Sequence, residues 1–259
     1  MGPFAVILPA AGRSSRFGDP KQKKIYAELD GRAVWLRAVE PFIHRDDVAQ
    51  TILVIAPEDR ELFERRFRPS VAFLNIRVVE GGAERSDSVA RALEVLDPAC
   101  AFVAVHDAAR PCLTPELIDA VYAAARAHGA ALPGLPVADT LKRVDPDGQT
   151  VETVPRAGLV AVQTPQAFRR DLLVRAYAER DRLAGPVTDD AQLVEALGQP
   201  CQIVEGSPLN LNITTRADLL LAAAILRALP QPKREGPAHP FADEQAMWGH
   251  APKPRDLFE

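Results

Sequence analysis

The chain has 259 residues, 47% of them hydrophobic and 25% charged, which is enough to bury a sizeable core in one large domain or two small ones. A net charge of −4 argues against a protein that neutralises many nucleic-acid phosphates, so any anion site must be local. The three cysteines form no CxxC pair, and we find neither a secretory signal nor a bilayer-spanning run. We therefore expect a cytoplasmic globular protein with no nucleic-acid or membrane partner.

Short apolar runs rich in β-branched residues alternate with helical patterns along the chain. The runs cover residues 4–9, 51–57, 75–81, 101–107 and 201–206. One of the intervening helices is predicted to begin with Thr114 as the N-cap and Pro115 at the first helical position. Near-continuous apolar strands separated by helices indicate a doubly wound α/β fold with a mostly parallel sheet covered on both faces. Ligands of such sheets bind at the carboxyl ends of the strands. That rule selects the loops that begin at Pro9, Gly81, His106 and Thr164.

Two segments depart from this alternation. Residues 139–156 contain two alternating stretches around an Asp-Pro-Asp-Gly turn, which is a strong β-hairpin signal. An isolated ribbon is only marginally stable, so we expect residues 138–157 to protrude as an arm that packs on a second subunit. Thr215 and Asp218 have capping-box spacing at the start of the final helix, which completes a domain predicted at residues 1–229. The proline-rich residues 230–259 are predicted to be a disordered tail.

The loop after the first strand has the composition of an anion site. Small residues allow the backbone to approach a ligand, serines can donate hydrogen bonds, and arginines offer forked charge that suits phosphate. These residues are Ala10, Ala11, Gly12, Arg13, Ser14, Ser15 and Arg16. The loop continues with Lys21, Lys23 and Lys24. Crowded lysines in an acidic protein would repel one another without a bound anion, which favours an anion site over the alternative, a plain turn with solvated arginines.

Two further strand ends carry candidate ligands. Asp107 ends a strand, where it could hold Mg²⁺ beside a phosphate, and Arg110 follows closely. The alternative is an ordinary strand-end aspartate that is satisfied by backbone amides. Gly81 and Gly82 could leave space for a flat base while Ser88 faces the ligand. The alternative there is a glycine turn before a helix with an acidic first turn.

The motifs together resemble the 2-C-methyl-D-erythritol 4-phosphate cytidylyltransferase family. In chain order they are "PAAGRSSRFG", "GGAERSDSV", "VHDAARPCL", "DTLKRV", "VPRAGLVAVQTPQAF" and "TDDAQLVEALG". The resemblance extends from residue 4 to about residue 229, and a collinear set is far more specific than any single motif. It implies a Rossmann-like nucleotidyltransferase that transfers CMP from CTP to methylerythritol phosphate. The products would be pyrophosphate and 4-diphosphocytidyl-2-C-methyl-D-erythritol, in the non-mevalonate route to isoprenoids.

The resemblance also implies roles for individual residues. The catalytic cations would be Arg16 and Lys24, with Lys21 as a second candidate. The nucleotide would contact Ala10, Ala11, Gly12, Ser14, Gly82, Ser88, Asp107 and Ala108. The sugar phosphate would contact Arg110, Thr140, Arg156, Thr164 and Thr188. Asp107 would hold Mg²⁺ or another divalent cation, and the hairpin arm would carry Thr140 and Arg156 into the site of the partner in a homodimer.

The chemistry of this reaction needs no general base. A phosphate monoester has its second pKa near about 6, so the nucleophile is already largely dianionic at neutral pH. The difficulty is to bring two polyanions together and to stabilise the leaving pyrophosphate, which requires positioned cations. We therefore expect His106 to be a packing residue at a strand end and not a catalyst.

The chain departs from the family pattern in three places. Pro20-Lys21-Gln22 matches the family's lysine motif, whereas the spacing counted back from residues 30–34 puts Lys24 in its place. We favour Lys24, because extra residues in a flexible loop are easily accommodated. Asn212 stands where the family has a lysine, so another cation compensates for it or activity is reduced. Ala83, where the family often has an acidic or polar residue, is a milder change.

Two other functions stay open from the sequence. A ribitol 5-phosphate cytidylyltransferase shares the "HDA" and "QTPQ" elements, and Asn212 is compatible with a CTP-binding regulator that lacks catalysis. We favour the methylerythritol phosphate enzyme over the regulator because its charged and hydroxyl groups are retained. Those residues are Arg16, Asp107, Arg110, Thr140 and Arg156.

Overall fold

A computed structural model describes residues 2–18, 23–183 and 185–230. The strands are β1 (Phe4–Pro9), β2 (Glu28–Leu29), β3 (Arg32–Ala33), β4 (Val48–Ile55), β5 (Ile76–Glu80), β6 (Phe102–Val105), β7 (Ala130–Pro136), β8 (Leu141–Val144), β9 (Thr150–Val154), β10 (Val160–Val162), β11 (Gln166–Arg169) and β12 (Gln202–Glu205). The α-helices are α1 (Val34–Ile43), α2 (Arg60–Phe73), α3 (Arg85–Leu93), α4 (Pro115–His128), α5 (Arg170–Ala178), α6 (Asp190–Ala196) and α7 (Arg216–Ala228).

Within the described residues, eight strands form one sheet in the order β10-β7-β11-β6-β1-β4-β5, with β12 paired to β7. The strands β6, β1, β4 and β5 are parallel neighbours, and β12 is parallel to β7. Strand β11 is antiparallel to both β6 and β7, and β10 is antiparallel to β7. The predicted mostly parallel sheet is confirmed.

Helices cover both faces of the sheet, as predicted for a doubly wound fold. Alternate residues of β1 point to opposite faces, so Phe4, Val6 and Leu8 belong to one buried cluster, whereas Ala5 and Ile7 belong to another. The first cluster contains apolar residues of α1, α2 and α4, and the second contains those of α3, α5 and α6. The sheet is therefore buried between two helical layers, and its strand ends are the positions left for polar loops.

The selected loops meet at one edge of the sheet. Parallel strands β1, β5 and β6 end at Pro9, Glu80 and Val105, immediately before three of the loops that the sequence selects. Strand β11 runs in the opposite direction, and its first residue, Gln166, pairs with Val105 at the end of β6. Thr164 therefore reaches the same edge from the start of an antiparallel strand.

Several local predictions are confirmed and others are corrected. Thr114 caps α4 by accepting a hydrogen bond from the Leu117 amide, and Asp218 accepts from the Thr215 amide at 2.7 Å before α7. The strands β7, β10 and β11 were not predicted. Residues 141–154 form the antiparallel pair β8–β9, whose service as an arm on a second subunit stays a prediction.

Two predictions concern the ends and the surroundings of the chain. The chain up to Leu226 forms one compact unit, whereas residues 231–259, the predicted tail, lie outside the described residues. In the part of the chain that the structure describes, no helix combines the length and apolarity needed to cross a bilayer.

Candidate active site

Asp107 lies at the centre of a cluster of nitrogen donors at the end of β6. Its Oδ2 is 3.4 Å from Nε of Arg110 and 3.5 Å from Nδ2 of Asn212. Its Oδ1 is 3.5 Å from Nη2 of Arg85. Burial by itself would raise the pKa of Asp107, but the charges of Arg85 and Arg110 outweigh burial and hold this pKa below its usual value. The carboxylate is therefore ionised, and its contacts are long enough to be exchanged for a ligand.

A chain of hydrogen bonds behind Asp107 fixes the strand end. The Asp107 amide donates to Oγ1 of Thr164 at 3.1 Å, and this hydroxyl lies 3.0 Å from Nδ1 of His106. The other ring nitrogen of His106, Nε2, lies 3.0 Å from the carbonyl oxygen of Arg110. A carbonyl only accepts, so Nε2 carries the proton and Nδ1 accepts from the threonine hydroxyl. His106 is thus a packing residue that positions Thr164 and Arg110, as expected.

Burial keeps the His106 ring neutral. The side chain is 0% exposed, and burial lowers its pKa to about 4. Arg110 is held from the other side, because its Nη1 donates to the carbonyl oxygen of Asn210 at 2.7 Å. Asn210 is itself buried and donates from Nδ2 to the carbonyl oxygen of Thr164 at 2.7 Å. The residues around Asp107 therefore form one connected and largely preorganised unit.

Lys24 shares this electrostatic environment. Its Nζ donates to the carbonyl oxygen of Ile213 at 2.5 Å, next to Asn212. Burial lowers the pKa of Lys24, Asp107 opposes that change, and the nearby charges of Arg16 and Arg110 lower the pKa further. Lys24 therefore lies within electrostatic range of Asp107, Arg16 and Arg110, whereas Lys21 lies outside the described residues.

Lys23 is paired with carboxylates, which corrects the prediction that the crowded lysines need a bound anion. Its Nζ lies 3.0 Å from Oε1 of Glu58 and 2.7 Å from Oδ2 of Asp59, and Asp59 also accepts from the Tyr26 hydroxyl at 3.1 Å. Lys23 is thus paired with carboxylates from the segment after β4 and needs no bound anion. Sequence spacing could not show this, because the partners are distant in the chain.

The first loop exposes the groups proposed to hold phosphates. Ser14 has a positive φ of 54°, and its Oγ accepts from the Lys24 amide at 3.2 Å, which joins the loop to the lysine. Arg16 is exposed, and a Cβ built on Gly12 would meet nothing within 4 Å. Ala10 is buried, and its amide donates a hydrogen bond to the Val54 carbonyl at 2.7 Å. Open space thus remains at Gly12 for a ligand.

The glycine pair after β5 serves a different purpose from the expected one. A Cβ on Gly81 would lie 2.6 Å from Oγ of Ser88 and 2.7 Å from Cβ of Ala11, and one on Gly82 would lie 2.3 Å from Cβ of Asp87. In the direction that a side chain would take, the space beside both glycines is therefore occupied by protein atoms, and contact of Gly82 with a base stays a prediction. Ser88 is 2% exposed, and its hydroxyl accepts from the Gly82 amide at 3.2 Å and donates to the Glu84 carbonyl at 3.1 Å.

The helix after these glycines begins as the alternative interpretation expected. Glu84 and Asp87 form a reciprocal capping box at the start of α3. Ala108, predicted to contact the nucleotide, is 1% exposed directly after Asp107. Any contact from these residues to a nucleotide would therefore come from the backbone, which carries no side-chain signature in the sequence.

The predicted sugar-phosphate residues fall into two groups. Arg110 and Thr164 belong to the Asp107 unit, whereas Thr188, Thr140 and Arg156 are exposed. The Thr188 hydroxyl and amide both donate to Oε1 of Gln192. Arg156 lines an open cavity of about 710 Å³ beside Pro136 and Leu159 at the base of the hairpin. In the described part of the chain, the hydrogen bonds of Asp107, Arg110 and Lys24 include neither Thr140 nor Arg156.

Sequence reasoning missed two charged residues. Arg85 contacts Asp107 and also lies 2.8 Å from Oδ2 of Asp190, a residue with 0% exposure. Both residues stand inside motifs quoted for the resemblance, at the first positions of α3 and α6. The available signal in the sequence was a second aspartate, Asp190, directly after the N-cap Asp189. Nothing in the sequence identified its partner.

The protein offers a divalent cation only a partial binding site. Among the described residues there is no group of three or more His, Cys, Asp or Glu side chains that could surround a metal ion. Asp107 alone supplies an ionised carboxylate at the sheet edge. Mg²⁺ is commonly bound by one or two carboxylates together with substrate phosphates, so this donor set fits a cation that arrives with a nucleotide.

Comparisons with known proteins agree with this geometry. The family model for 2-C-methyl-D-erythritol 4-phosphate cytidylyltransferase matches residues 4–228. The chain belongs to this family. A relative of that name from Frankia casuarinae is 48% identical, and the match covers 86% of this chain and 80% of the relative. A relative of the same name from Rhodopirellula baltica is 44% identical, over 86% of this chain and 94% of its own length.

Solved cytidylyltransferase structures share the fold. The crystal structure of 2-C-methyl-D-erythritol 4-phosphate cytidylyltransferase from Thermus thermophilus superposes with a TM-score of 0.72 at 36% identity. The superposition covers 88% of this chain and 100% of that structure. Within this cytidylyltransferase chain, the departure at Asn212 lies directly at the Asp107 carboxylate, and Lys24 lies beside it. The roles of these individual residues are proposals, developed below.

Proposed function

We propose that the protein transfers CMP from CTP to 2-C-methyl-D-erythritol 4-phosphate and releases pyrophosphate, as a step in isoprenoid precursor biosynthesis. The observation that supports this proposal is that Arg110 is ion-paired with Asp107 at the carboxyl edge of the sheet, while Lys24 lies within electrostatic range of Asp107, Arg110 and Arg16. Family membership supplies the identity of the two substrates. The geometry supplies a place where two polyanions can meet.

The reaction is an in-line displacement at phosphorus. A phosphate oxygen of the acceptor attacks the α-phosphorus of CTP, a new P–O bond forms, and the bond from the α-phosphorus to the oxygen that bridges to the β-phosphorus breaks. The bonding electrons leave with pyrophosphate. Since the acceptor phosphate is largely dianionic above about pH 6, no side chain needs to remove a proton. The neutral, buried His106 is consistent with such a mechanism, because it is inaccessible to a substrate.

Positioned cations bind the phosphates and stabilise the charge of the transition state. Lys24 and Arg16 would contact the phosphates of CTP, and Arg110 with Thr164 would orient the acceptor phosphate beside Asp107. Preorganised donors of this kind stabilise charge that develops in the transition state. Removal of one such donor typically lowers kcat by about 10²–10³-fold. Burial of Lys24 strengthens its interaction with a phosphate, because the surrounding protein screens the charge less than water does.

A divalent cation, Mg²⁺ or a similar ion, would be held by Asp107 together with the phosphates of CTP. When bound, it supplies further neutralisation of phosphate charge. Asp107 is ionised, and its nitrogen neighbours lie 3.4–3.5 Å away, so a carboxylate oxygen can be turned toward a cation at small cost. Arg110, which is ion-paired with Asp107, stays at hand to bind a phosphate oxygen.

The acceptor side of the site is completed, in our proposal, by a second copy of the chain in the cytoplasm. Thr140 precedes β8 and Arg156 follows β9, so both residues lie at the base of the β8–β9 hairpin, and both are exposed. A two-stranded ribbon is marginally stable alone, which supports its packing on another surface. In a homodimer, each hairpin would deliver Thr140 and Arg156 to the Asp107 unit of the partner.

The proposed function is tested by measuring pyrophosphate release from CTP and Mg²⁺ with a panel of polyol phosphates. We expect release with 2-C-methyl-D-erythritol 4-phosphate and little with ribitol 5-phosphate. Release with ribitol 5-phosphate alone would reassign the acceptor. Binding of CTP without release on any acceptor would favour a regulator. Replacing CTP with ATP, GTP and UTP in the same assay determines the base preference.

A further inference from the structure

The ion pair between Arg85 and Asp190 has no part in the proposed reaction. Asp190 begins α6 and is completely buried, with Oδ2 at 2.8 Å from Nη2 of Arg85. Its Oδ1 accepts from the Tyr177 hydroxyl at 2.5 Å. A buried carboxylate is costly unless it is paired and hydrogen-bonded. Asp190 therefore holds Arg85 firmly.

The same nitrogen atom of Arg85 also faces the active-site carboxylate. Nη2 lies 3.5 Å from Oδ1 of Asp107, compared with 2.8 Å from Oδ2 of Asp190. The contact with Asp107 has hydrogen-bond geometry at the upper limit of length, whereas the contact with Asp190 is a shorter ion pair that lacks hydrogen-bond geometry. One guanidinium group thus faces two carboxylates, one after β6 and one at the start of α6, and the buried carboxylate of Asp190 is the nearer one.

This division matters for a cation at Asp107. A guanidinium that paired fully with Asp107 would occupy one carboxylate oxygen and place a positive charge where a divalent cation must approach. Asp190 opposes that pairing, because its buried carboxylate attracts the same nitrogen atom of Arg85 at a shorter distance. Resting on the proposed function, we propose that Asp190 is a positioning residue that draws Arg85 away from Asp107 and so leaves the Asp107 carboxylate available to the cation accompanying CTP.

A second ion pair nearby provides a matched control. Nη2 of Arg180 lies 3.1 Å from Oδ1 of Asp87 on α3. This pair joins α3 to the segment after α5, much as Arg85 and Asp190 join α3 to α6. Its members are not among the residues that contact Asp107 in the described structure. A purely structural effect of breaking a link to α3 would therefore appear in both pairs.

The test measures CTP binding by calorimetry in excess Mg²⁺ and again with EDTA, without an acceptor, so that no turnover occurs. The ratio of the two dissociation constants is the gain in CTP affinity that Mg²⁺ provides. We expect Asp190→Asn to reduce this gain by about tenfold, within the usual range of coupling between two ligands. Arg85→Gln should keep the gain at or above the wild-type value, and Arg180→Gln should leave it unchanged.

The double variant Arg85→Gln/Asp190→Asn separates two ways in which Asp190 could act. If Asp190 acts through Arg85, the double variant has the gain of Arg85→Gln alone. If the two effects add, Asp190 acts by its own charge and the inference is wrong. An unchanged gain in Asp190→Asn, or equal losses in Asp190→Asn and Arg85→Gln, would also overturn it.

Melting temperatures show whether each variant is folded. If Asp190→Asn does not fold, Arg85→Gln decides, because a gain below the wild-type value would contradict the inference. A wild-type protein whose CTP affinity does not respond to Mg²⁺ would refute the cation site in the proposed function as well. A wild-type response together with an unaffected Asp190→Asn variant would refute only the role of Asp190.

Discussion

The two sides of the candidate site differ in how completely one chain builds them. Around Asp107, contacts of 2.7–3.4 Å join four side chains to one another, to their neighbours' backbone carbonyls or to Asp107 itself. These side chains are Thr164, His106, Asn210 and Arg110. On the hairpin side, Thr140 and Arg156 are exposed at the base of the β8–β9 hairpin, whose two strands pair with each other. The difference suggests that charge on the nucleotide side is organised before any ligand arrives, whereas the acceptor side depends on assembly.

Removal of the lysine on the organised side should have the largest effect. We expect Lys24→Ala to lower kcat/KM by about 10³-fold, because a partly buried cation at the phosphates is lost. Lys23→Ala is the matched control, since its ammonium group is paired with Glu58 and Asp59, and its loss should cost less than about tenfold. Steady-state kinetics of both variants and of Lys21→Ala checks this. If only Lys21→Ala abolishes activity, Lys24 is the wrong lysine.

Assembly of the other side can be tested by complementation between two inactive variants. Lys24→Ala damages the site of its own chain, whereas Arg156→Ala should damage the site of the partner. Coexpressed variants in a random mixture give about half heterodimers, each with one intact site, so about a quarter of wild-type activity should return. Each variant mixed with wild-type protein serves as the control. If activity does not return although heterodimers form, Arg156 acts within its own chain.

Acid should loosen the organised side through His106. The ordinary pKa of histidine is 6.5 and burial lowers that of His106 to about 4, so below pH 6.5 the unfolded chain takes up a proton that the folded chain refuses. The contribution of the neutral His106 to the free energy of unfolding is therefore fully present above pH 6.5 and is lost progressively toward pH 4. Between pH 7 and pH 5 the loss from this group should be about 2 kcal/mol.

Urea unfolding of the wild type and of His106→Gln at both pH values measures this loss. The variant should be less stable at pH 7, because glutamine fills the ring position poorly, but its stability should depend less on pH. His44 and His128 are present in both proteins, so their contributions cancel in the comparison. Equal pH dependence of the two proteins would show that His106 has the same pKa in the folded and the unfolded chain.

A charge added on the organised side should have the smallest effect. Asn212→Lys would place an ammonium group beside Asp107 and Lys24, and we expect the KM for CTP to fall by about three- to tenfold through one more charge-assisted contact to phosphate. Asn212→Gln retains a neutral amide and should leave KM within about twofold. An unchanged KM in Asn212→Lys would mean that Lys24, Arg16 and Arg110 already satisfy the phosphates.

The alternation of buried strands and helices made the fold predictable, but some strands carried no readable pattern. Strand β7 contains Pro133, Gly134 and Pro136, which are residues that ordinarily argue against a strand. It forms nevertheless because β10, β11 and β12 all pair with it, and the Pro133 carbonyl accepts from the Gln163 amide at 2.7 Å. Tertiary pairing outweighs local propensity there, and only the folded chain reveals it.

The candidate site was predictable where one loop carries its own chemistry and unpredictable where distant residues meet. Asp107 and Arg110 were identified from strand-end position and charge, and Lys24 from its spacing relative to the family's lysine motif. The partners that set their state were not, since Lys23 with Asp59 and Arg85 with Asp190 join segments far apart in sequence. Glycines gave a misleading signal, because the same absence of a Cβ serves internal packing at Gly81 and openness at Gly12.

The described residues on either side of positions 19–22 are held by contacts with the rest of the fold. Phe17 is buried before it, and after it Lys23 and Tyr26 both contact Asp59. Two such attachment points make the lysine register independent of how many residues lie between them. We therefore expect an engineered version with a short reporter peptide inserted between these contacts to keep the ammonium group of Lys24 in place.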